Sequence, residues 1–346
     1  MKNLIEKLAR ERRLSLEEYV FLLQNSTAET DRLLFEKAVS ARRAVYGNTV
    51  FVRGLVEFTN YCKNNCYYCG IRAENTRAER YRLREEEILS CCERGYEIGY
   101  RTFVLQGGED PFFTPEKVEN IVREIKNKYS DCAVTLSFGE HDRTTYERWF
   151  KAGADRYLLR HETADADHYA KLHPENLTLE NRKRCLWDLK EIGYQVGCGM
   201  MVGSPYQTVE HLAKDLKFIE ELRPQMVGIG PFLSHKDTPF ADFQNGTLET
   251  TLRLIAVVRL MDPHLLLPAT TALATLCPDG RERGILAGAN VCMPNLSPET
   301  VRQKYMLYDN KLSSGLEAAD EFQRLNARLH TIGYEAVVHR GDYKKE

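Results

Sequence analysis

The sequence predicts an α/β fold, a (β/α)8 TIM-type barrel with an N-terminal helical extension and a short C-terminal helix. Eight β-rich stretches alternate with amphipathic helical stretches over about 250 residues, which is the length and order of such a barrel. Polar and glycine-rich residues follow the strands, whereas turns after helices, such as KAGAD, carry little chemistry. An open doubly wound sheet remains an alternative, because element order alone does not establish closure.

The first 47 residues are predicted to be helical. SLEE at 15–18 and STAE at 26–29 have the pattern of capping boxes, and Gly47 is a natural end for the last helix. We therefore expect three parts along the chain. They are a helical extension at 1–47, a barrel at 48–310 and a segment at 311–346 that closes the barrel.

The predicted barrel strands are rich in β-branched and aromatic residues. They are TVFVRGLVEF, TFVLQ, AVTLSF, DRYLLR, YQVGCGMMV, MVGIG, LLLPAT and NVCMP. Helical periodicity predicts the helices between them at 84–98, 115–129, 143–152, 179–192, 208–222 and 248–261. Barrel enzymes carry their chemistry on the loops that follow strands. We therefore expect the active site on the rim formed by CKNNCYYC, QGGEDP, SFGE, RHETAD, MMVGSP, GPFLSH, PATTA and MPNLSP.

Composition excludes several classes of protein. A formal charge of −2 over 346 residues predicts no nucleic-acid partner, and 43% hydrophobic residues suffice for a large core. Ten cysteines without an N-terminal apolar targeting segment favour the reducing cytoplasm over a disulfide framework. The longest apolar run, HLLLPATTALATL, is interrupted by His264 and Pro268, so no membrane span is expected.

Three cysteines lie within eight positions of the stretch NYCKNNCYYCGIR; they are Cys62, Cys66 and Cys69. A closed zinc site needs four ligands. The next cysteines, Cys91 and Cys92, are adjacent in a predicted helix and point about 100° apart, so both cannot easily complete one site. Three thiolates suit a [4Fe–4S] cluster with one iron open to a ligand. Gly70 and the nearby asparagines allow the loop to wrap around it, and zinc with a distant fourth ligand remains an alternative.

The C-x3-C-x2-C spacing, with an aromatic residue before the third cysteine, resembles the radical S-adenosylmethionine (SAM) superfamily. The resemblance implies a cluster that binds SAM and cleaves it reductively to methionine and a 5′-deoxyadenosyl radical. QGGEDP resembles the superfamily's GGE motif, in which Gly107 and Gly108 permit close backbone approach and Glu109 helps to hold the SAM ammonium. Tyr68 is expected against the adenine. A capped strand-to-helix turn and simple loop packing remain the respective alternatives.

Six motifs, in order, resemble the HydE-type maturases of FeFe-hydrogenase over about 50–310. They are EFTNYCKNNCYYCGIR, VLQGGEDP, RYLLRHETAD, VGIGPFLSHKDTPF, PATTALATLCPDGRERGILAGANVCMPN and VRQKYMLY. The resemblance implies further SAM contacts from Ser137, Glu162 and Arg182. A carboxylate can accept both ribose hydroxyls, and a guanidinium can bind the methionine carboxylate bidentately. A structural ion pair for Glu162, with Arg160 or His161, and a solvated helix face for Arg182 remain alternatives.

The same resemblance implies a small organometallic, sulfur-containing substrate. This substrate is an iron–cysteine complex with carbon monoxide and cyanide, made by another maturase, whose sulfur the radical attacks. Other hydrogenase maturases and an electron donor such as ferredoxin or flavodoxin are the implied protein partners. The expected substrate-lining residues are Arg160, Met201, Thr270, Thr271, Met293, Asn295 and Tyr305. Core packing of the two methionines and backbone satisfaction by the two threonines remain alternatives.

Three rival functions share parts of this pattern. A mutase resembling methylornithine synthase would act on an amino acid. A sulfur insertase resembling biotin synthase would need cysteines at strand ends for a second cluster, and LQGGEDP has none. A non-enzymatic iron–sulfur scaffold would need no SAM pocket.

The cysteines outside the three-cysteine loop and the C-terminal segment carry further expectations. Most of these cysteines should pack as small hydrophobes: Cys91, Cys92, Cys132, Cys185, Cys277 and Cys292. Cys198 lies in a predicted strand. The last cysteine is Cys292, so we expect one cluster in this chain. A helix at about 316–332, ending at Gly333, should close one side of the barrel with Leu316, Ala319, Phe322, Leu325 and Leu329.

Overall fold

The computed structural model of the chain describes residues 1–312 and 318–344. It begins with three helices, α1 (Lys2–Glu11), α2 (Leu16–Gln24) and α3 (Ala28–Tyr46). Ser15 and Glu18 form the predicted capping box of α2, and Gly47 ends α3 at φ 60°. The second box was misplaced by one residue. Thr27 caps α3 with Thr30, because the Ser26 hydroxyl donates instead to the carbonyl of Leu22.

Parallel strands follow the helices. They are β1 (Thr49–Val52), β2 (Gly54–Thr59), β3 (Thr102–Gly107), β4 (Ala133–Ser137), β5 (Arg156–Leu158), β6 (Gln195–Val202), β7 (Met226–Pro231) and β8 (Val291–Cys292). Strands β2 to β7 pair in chain order, each parallel to the next. The stretch TVFVRGLVEF forms two strands rather than the one predicted, since it is divided at Arg53. Its first part, β1, pairs with β8.

The sheet closes into a barrel through short bridges. The segment 265–268 bridges β7 at Met226↔Leu266 and reaches β8 at Pro268↔Val291, and Leu55↔Asn295 returns to β2. The predicted TIM-type barrel is therefore confirmed. LLLPAT makes these bridges without forming a regular strand, because its proline has no amide hydrogen to donate to a ladder.

Helices cover the outside of the barrel. They are α4 (Glu85–Ile98), α5 (Pro115–Lys128), α6 (Arg143–Ala152), α7 (Ala166–Leu172), α8 (Leu179–Ile192), α9 (Val209–Leu222), α10 (Leu248–Met261), α11 (Thr271–Leu276), α12 (Gly280–Leu286) and α13 (Glu299–Arg302). The six predicted helices agree with α4, α5, α6, α8, α9 and α10 to within one residue at each end. None of the helices in the described residues combines the length and apolar character needed to cross a bilayer.

The C-terminal segment contains α14 (Ala318–Thr331) and β9 (Glu335–Val337), which pairs with β1. Leu325 and Leu329 of α14 are buried and Phe322 is half-buried, as expected. The expectation for Ala319 was wrong, because it lies on the exposed side of the helix. Leu316 lies outside the described residues.

The tail after β9 covers the N-terminal end of the barrel. Asp342 lies 2.6 Å from the guanidinium of Arg156, the first residue of β5, and Arg340 pairs with Asp155 at 2.8 Å. Arg53 donates to the carbonyl of Gly341. The tail thus contacts the barrel through ion pairs and a hydrogen bond at this end. The loops at the C-terminal ends of the strands form the opposite rim.

Candidate active site

The loop between β2 and α4 carries the three cysteines of the C-x3-C-x2-C motif, and Arg80 holds the backbone of this loop in place. Its guanidinium donates to the carbonyls of Asn60 at 2.5 Å and Ile71 at 2.9 Å. Gly70 donates its amide to Leu307, and a Cβ at this position would lie 2.2 Å from the carbonyl oxygen of Met306. Only glycine fits this approach, which joins the loop to the segment after α13.

The three thiols of this loop are half-buried and lie close enough to influence one another. Burial raises the pKa of all three, and for Cys69, whose pKa rises to about 12, the next cause is the sulfur of Cys62. For Cys66 the next cause is Cys69. In the residues that the structure describes, no three His, Cys, Asp or Glu side chains converge as ligands of a single metal ion. Three thiolates are a donor set that suits a cubane cluster, which spaces its ligands more widely than a single ion and deprotonates them on binding.

The glycines at the end of β3 bring the GGE motif against the cysteine loop. A Cβ at Gly108 would lie 2.2 Å from the carbonyl oxygen of Tyr61 and 2.7 Å from Cys62 Cβ. At Gly107 it would meet Thr59 at 2.8 Å. The alternative of a turn capped by Asp110 agrees with one contact, because Asp110 Oδ1 accepts the amide of Phe112 at 3.1 Å, whereas Thr114 caps α5 itself. Asp110 also accepts hydrogen bonds from Thr59 and from the guanidinium of Arg82.

The carboxylate of Glu109 is buried and fixed between two loops. Its Oε1 accepts the amide of Glu140 at 2.9 Å, and its Oε2 lies 3.2 Å from Lys63 Nζ. Gly139, at φ 94°, leaves the space that this carboxylate occupies, since a Cβ there would lie 1.9 Å from Glu109 Cγ. Ser137, half-buried at the end of β4, pairs in register with Gln106.

Arg182 lies in the interior, so the solvated-face alternative is wrong. Its Nε lies 2.7 Å from Glu140 Oε1 in an ion pair and donates a hydrogen bond to the hydroxyl of Tyr169 at 3.3 Å. Burial opposes the guanidinium charge, but Tyr169 and Glu140 outweigh it and raise the pKa of Arg182. The same charge acts on the thiol of Cys66, lowering its pKa against the effect of burial. Arg182 is also connected to the cysteine loop by contacts, because Tyr169 stacks on His173, which meets the hydroxyl of Tyr68.

Glu162 follows β5 in a left-handed conformation, with φ 64°. Its amide donates to Gly199, and its carbonyl accepts the amide of Met201. Glu162 Oε2 lies 3.0 Å from Arg160 Nη2, as the ion-pair alternative proposed, although the angle makes no hydrogen bond. His161 does not take part in that pair, because its Nε2 faces Asp215 at 3.4 Å.

Tyr68 is half-buried beside the SAM-site candidates. Its hydroxyl lies 3.1 Å from His173 Nε2, and the two rings meet edge to face at 5.4 Å. Burial raises its pKa, followed by the charges of Cys66 and Glu162. The ring also packs beside an apolar cluster that contains Met201. The loop-packing alternative thus describes part of its surroundings.

Arg160 and Thr270 point to the barrel interior beside the glycines of β7. Gly228 lies next to the Arg160 side chain, and a Cβ at Gly230 would lie 3.5 Å from Thr270 Oγ1. Arg160 Nε and Thr270 Oγ1 are both buried and meet no hydrogen-bond partner in the described part of the chain. Two donors are therefore available inside the barrel.

The remaining substrate candidates gather at a second place, between β2 and β8. Asn295 Nδ2 donates to Glu57 Oε2 at 2.7 Å, so this amide is already engaged. Thr271 accepts a hydrogen bond from Arg281, and Tyr305 is buried beneath Lys311. A small cavity here is also lined by Met293.

Several residues of these sites were missed by sequence reasoning; they are Glu57, Glu140, Arg281 and Lys311. Glu57 pairs with Lys311. A charged residue inside a predicted strand was the available signal for Glu57, and a glutamate after the glycine of SFGE was that for Glu140.

The other cysteines are buried as expected, with one exception. Cys277 is half-buried, and its thiol donates to Asp279 at 2.8 Å. It is the residue that ends α11 and packs at the edge of the core.

The chain is similar in sequence to known proteins over most of its length. The profile described as the Radical SAM superfamily matches residues 56–219. The chain is 45% identical over 311 residues to the [FeFe] hydrogenase maturase subunit HydE of Thermotoga maritima, covering 90% of this chain and 88% of that protein. It is 29% identical to the 3-methylornithine synthase of Methanosarcina acetivorans, over 95% and 92% of the two chains.

Two solved structures have the same fold over nearly the whole chain. The crystal structure of methylornithine synthase (PylB) has a TM-score of 0.84 at 28% identity and covers 96% of this chain and 97% of that one. The structure of HydG, a maturase of the [FeFe]-hydrogenase, has a TM-score of 0.80 at 20% identity, covering 97% and 75%. The second likeness concerns the fold alone.

Proposed function

The chain belongs to the HydE family of radical SAM enzymes that mature FeFe-hydrogenase, and from this premise we propose how it holds its cofactors and which substrate it takes. A [4Fe–4S] cluster and SAM are the cofactors of this superfamily. When bound, they supply one electron and a 5′-deoxyadenosyl radical. The non-enzymatic scaffold alternative is not supported by this membership.

The cluster is held by the three cysteines of the loop after β2, Cys62, Cys66 and Cys69. Arg80 and Gly70 fix the backbone of this loop without contributing a ligand. Because the loop is fixed by backbone contacts, its three sulfurs are already oriented when the cluster binds. This fit of the donor set supports the cluster assignment.

SAM lies across the strand ends that neighbour the cysteine loop. Arg182 binds its carboxylate, and Glu109 and the backbone of Gly107 and Gly108 hold its ammonium group. Ser137 and Glu162 hold the ribose, with Tyr68 against the adenine. Two electrostatic couplings support this arrangement, since the charge of Arg182 acts on Cys66 and that of Glu162 on Cys69.

The substrate is a small anionic iron–cysteine complex that carries carbon monoxide and cyanide, and the radical attacks its sulfur. The observation that carries this proposal is the pair of donors in the barrel interior, Arg160 Nε and Thr270 Oγ1. Buried donors without acceptors are costly, and an anionic ligand between them offsets that cost. Met201, on the apolar side, excludes water from the radical.

The second place, between β2 and β8, contributes the outer wall of the substrate cavity. Asn295 and Thr271 present polar groups there, and Tyr305 and Met293 fill its sides. Glu57 and Lys311 neutralise each other at this wall. This wall keeps the organometallic ligand near the SAM site.

The chain acts with other hydrogenase maturases, because it receives its substrate from one and passes its product on. We assign it to the cytoplasm, where the loop thiols stay reduced. Its electron donor is a ferredoxin or a flavodoxin.

One experiment tests the assignment directly. The protein is reconstituted anaerobically with iron and sulfide, reduced with dithionite and assayed for 5′-deoxyadenosine, with and without a synthetic iron–cysteine carbonyl cyanide complex. We expect cleavage of SAM that the complex stimulates, and none by Cys66→Ser, which loses one cluster ligand but remains folded. Equal yield from wild type and variant would contradict the cluster assignment.

A methylornithine-synthase-like mutase is the second candidate, favoured by the TM-score of 0.84. That reaction would consume lysine. The reconstituted protein is therefore also incubated with lysine and SAM, and the amino acids are separated by chromatography. Formation of methylornithine would replace the maturase proposal.

A further inference from the structure

An exposed group of aromatic and basic side chains lies beside the cysteine loop. Phe112 is 47% exposed and Tyr61 is 36% exposed. The guanidinium of Arg82 lies over both rings, 3.8 Å from the centre of Tyr61 and 4.8 Å from that of Phe112. Lys117 Nζ lies 3.4 Å from the centre of Phe112. These four residues are called the aromatic–basic patch below.

The positive charges of the patch face solvent, and the carboxylates that pair with Arg82 and the adjacent Lys63 lie beneath them, whereas the exposed Glu116 pairs with Arg148. The side chain of Arg82 is 35% exposed, whereas its partner Asp110 is 1% exposed. The side chain of the adjacent Lys63 is likewise 54% exposed, whereas that of its partner Glu109 is 7% exposed. A protein that approaches this face therefore meets cations first, although the chain as a whole has a formal charge of −2.

The patch is continuous with the cluster-binding loop. Tyr61 immediately precedes Cys62, and Gly108 packs against both residues. The aromatic rings are already held by stacked cations, so little conformational entropy is lost when a partner covers them. The surface thus combines rigid apolar contact area, positive charge and direct connection to a cluster ligand.

We propose that the aromatic–basic patch is the docking surface for an acidic one-electron carrier protein. This inference rests on the proposed function, in which each reductive cleavage of SAM consumes one electron from outside the chain. The carrier is oxidised by one electron, and the cluster is reduced by one. Electron-transfer complexes are small and steered by charge, which suits a patch of four residues beside the redox centre.

The test compares two electron sources in the reconstituted holoenzyme. A bacterial flavodoxin, reduced enzymatically, serves as the acidic carrier, and dithionite serves as a small reductant that needs no docking. Lys117→Glu reverses one charge of the patch, and Phe112→Ser removes one ring. We expect each variant to form 5′-deoxyadenosine about tenfold more slowly with flavodoxin at low salt, and at the wild-type rate with dithionite.

The matched control is Lys128→Glu, about 16 Å further along α5 at its other end. Lys128 pairs with Glu93 far from the patch, so this variant should behave like wild type with both reductants. A second readout is binding of oxidised flavodoxin, titrated against each holoenzyme at two salt concentrations. The dissociation constant should rise about tenfold for Lys117→Glu, and added salt should reduce this difference.

The outcomes separate the possible failures. Patch variants that match Lys128→Glu in both rate and binding would overturn the docking site. If Phe112→Ser changes the sedimentation of the enzyme alone, the patch joins two copies of the chain and the proposal is also overturned. Absence of SAM cleavage by wild type with dithionite would overturn the proposed function, while the binding titration would still decide where flavodoxin docks.

Discussion

Glu162 combines a strained backbone with a functional position. A non-glycine residue at φ 64° is uncommon, and such outliers concentrate at sites where the surroundings fix the side chain. Here the bridge to Met200 fixes the backbone, and the buried pair of His161 and Asp215 fixes the preceding residue. The carboxylate is thereby aimed at the strand ends rather than at solvent.

Glu162→Ala is therefore expected to weaken SAM binding without changing the fold. Loss of charge-assisted hydrogen bonds to two hydroxyls costs about 2 kcal/mol, or about 30-fold in affinity. Equilibrium dialysis of the reconstituted protein measures the dissociation constant. Glu180→Ala, on the exposed surface of α8, is the control. If the Glu162 variant binds SAM as tightly as the control, Glu162 has only its ion pair with Arg160.

At the same scale, the sequence predicted a SAM contact from Arg182 but not the residues that position its side chain. A motif indicates which residue type binds a carboxylate. It does not indicate which buried group holds Arg182. Glu140 lies 42 positions before Arg182 in the chain, and the turn at Gly139 brings it to the guanidinium. Contacts of this kind depend on barrel closure and have no local sequence signal.

At the scale of elements, the helices were predicted most accurately, because glycine residues at their ends are visible in the sequence. The C-terminal residues Gly153 and Gly193 adopt the left-handed conformation that ends α6 and α8. The short helices α7, α11, α12 and α13 were missed, because seven or fewer residues do not establish a helical period. The break at Arg53 was also missed, since it arises from pairing to β8 and β9, which are distant in sequence.

The helix α7 contains one buried histidine, His168, and ends at a second, His173, and this pair predicts acid sensitivity. Burial lowers the pKa of His168 to about 4 and, with the charge of Arg182, that of His173 to about 3. In the unfolded chain both histidines take up a proton near pH 6.5. In the folded chain they do so only near pH 4 and pH 3. The free energy of unfolding therefore falls as the pH falls from 6.5 towards 4.

At pH 5 each histidine should reduce stability by about 2 kcal/mol relative to pH 7. Urea unfolding at the two pH values measures the difference. His168→Gln should remove part of the pH dependence, because glutamine takes up no proton in this range. His330→Gln, on the exposed side of α14, should retain it. Equal pH dependence in both variants would contradict the assignment.

At the scale of the whole molecule, the tail at 339–343 joins the adjacent strands β5 and β6 at the N-terminal end of the barrel. Asp342 accepts hydrogen bonds from Arg156 on β5 and from Gln195 on β6. Arg156 is fully buried, and it lowers the pKa of Asp342 together with Arg340, against the effect of burial. Removing the carboxylate would leave a buried guanidinium without its counterion.

We expect Asp342→Asn to lower the free energy of unfolding by about 2 kcal/mol, since Asp342 is partly exposed and its ion pair is partly screened. Urea unfolding at pH 7 measures this change. Asp320→Asn, on the exposed surface of α14, serves as the control and should leave the midpoint unchanged. A midpoint for Asp342→Asn equal to that of the control would show that the tail does not stabilise the barrel.

The distribution of cysteines over the whole molecule predicts one cluster in this chain. Beyond the three loop cysteines, Cys91 and Cys92 are neighbours buried in α4, and the other five lie apart from one another in the chain. No cysteine follows Cys292 in the sequence. Anaerobic reconstitution should therefore yield about four irons and four sulfides per chain, with Mössbauer spectra used to exclude adventitious iron. Cys66→Ser should lose this iron, because no second group of thiols can take it up. Reproducible recovery of two distinct clusters from the wild type would contradict the prediction and would require Cys277, the one half-buried thiol outside the loop, to move towards new ligands.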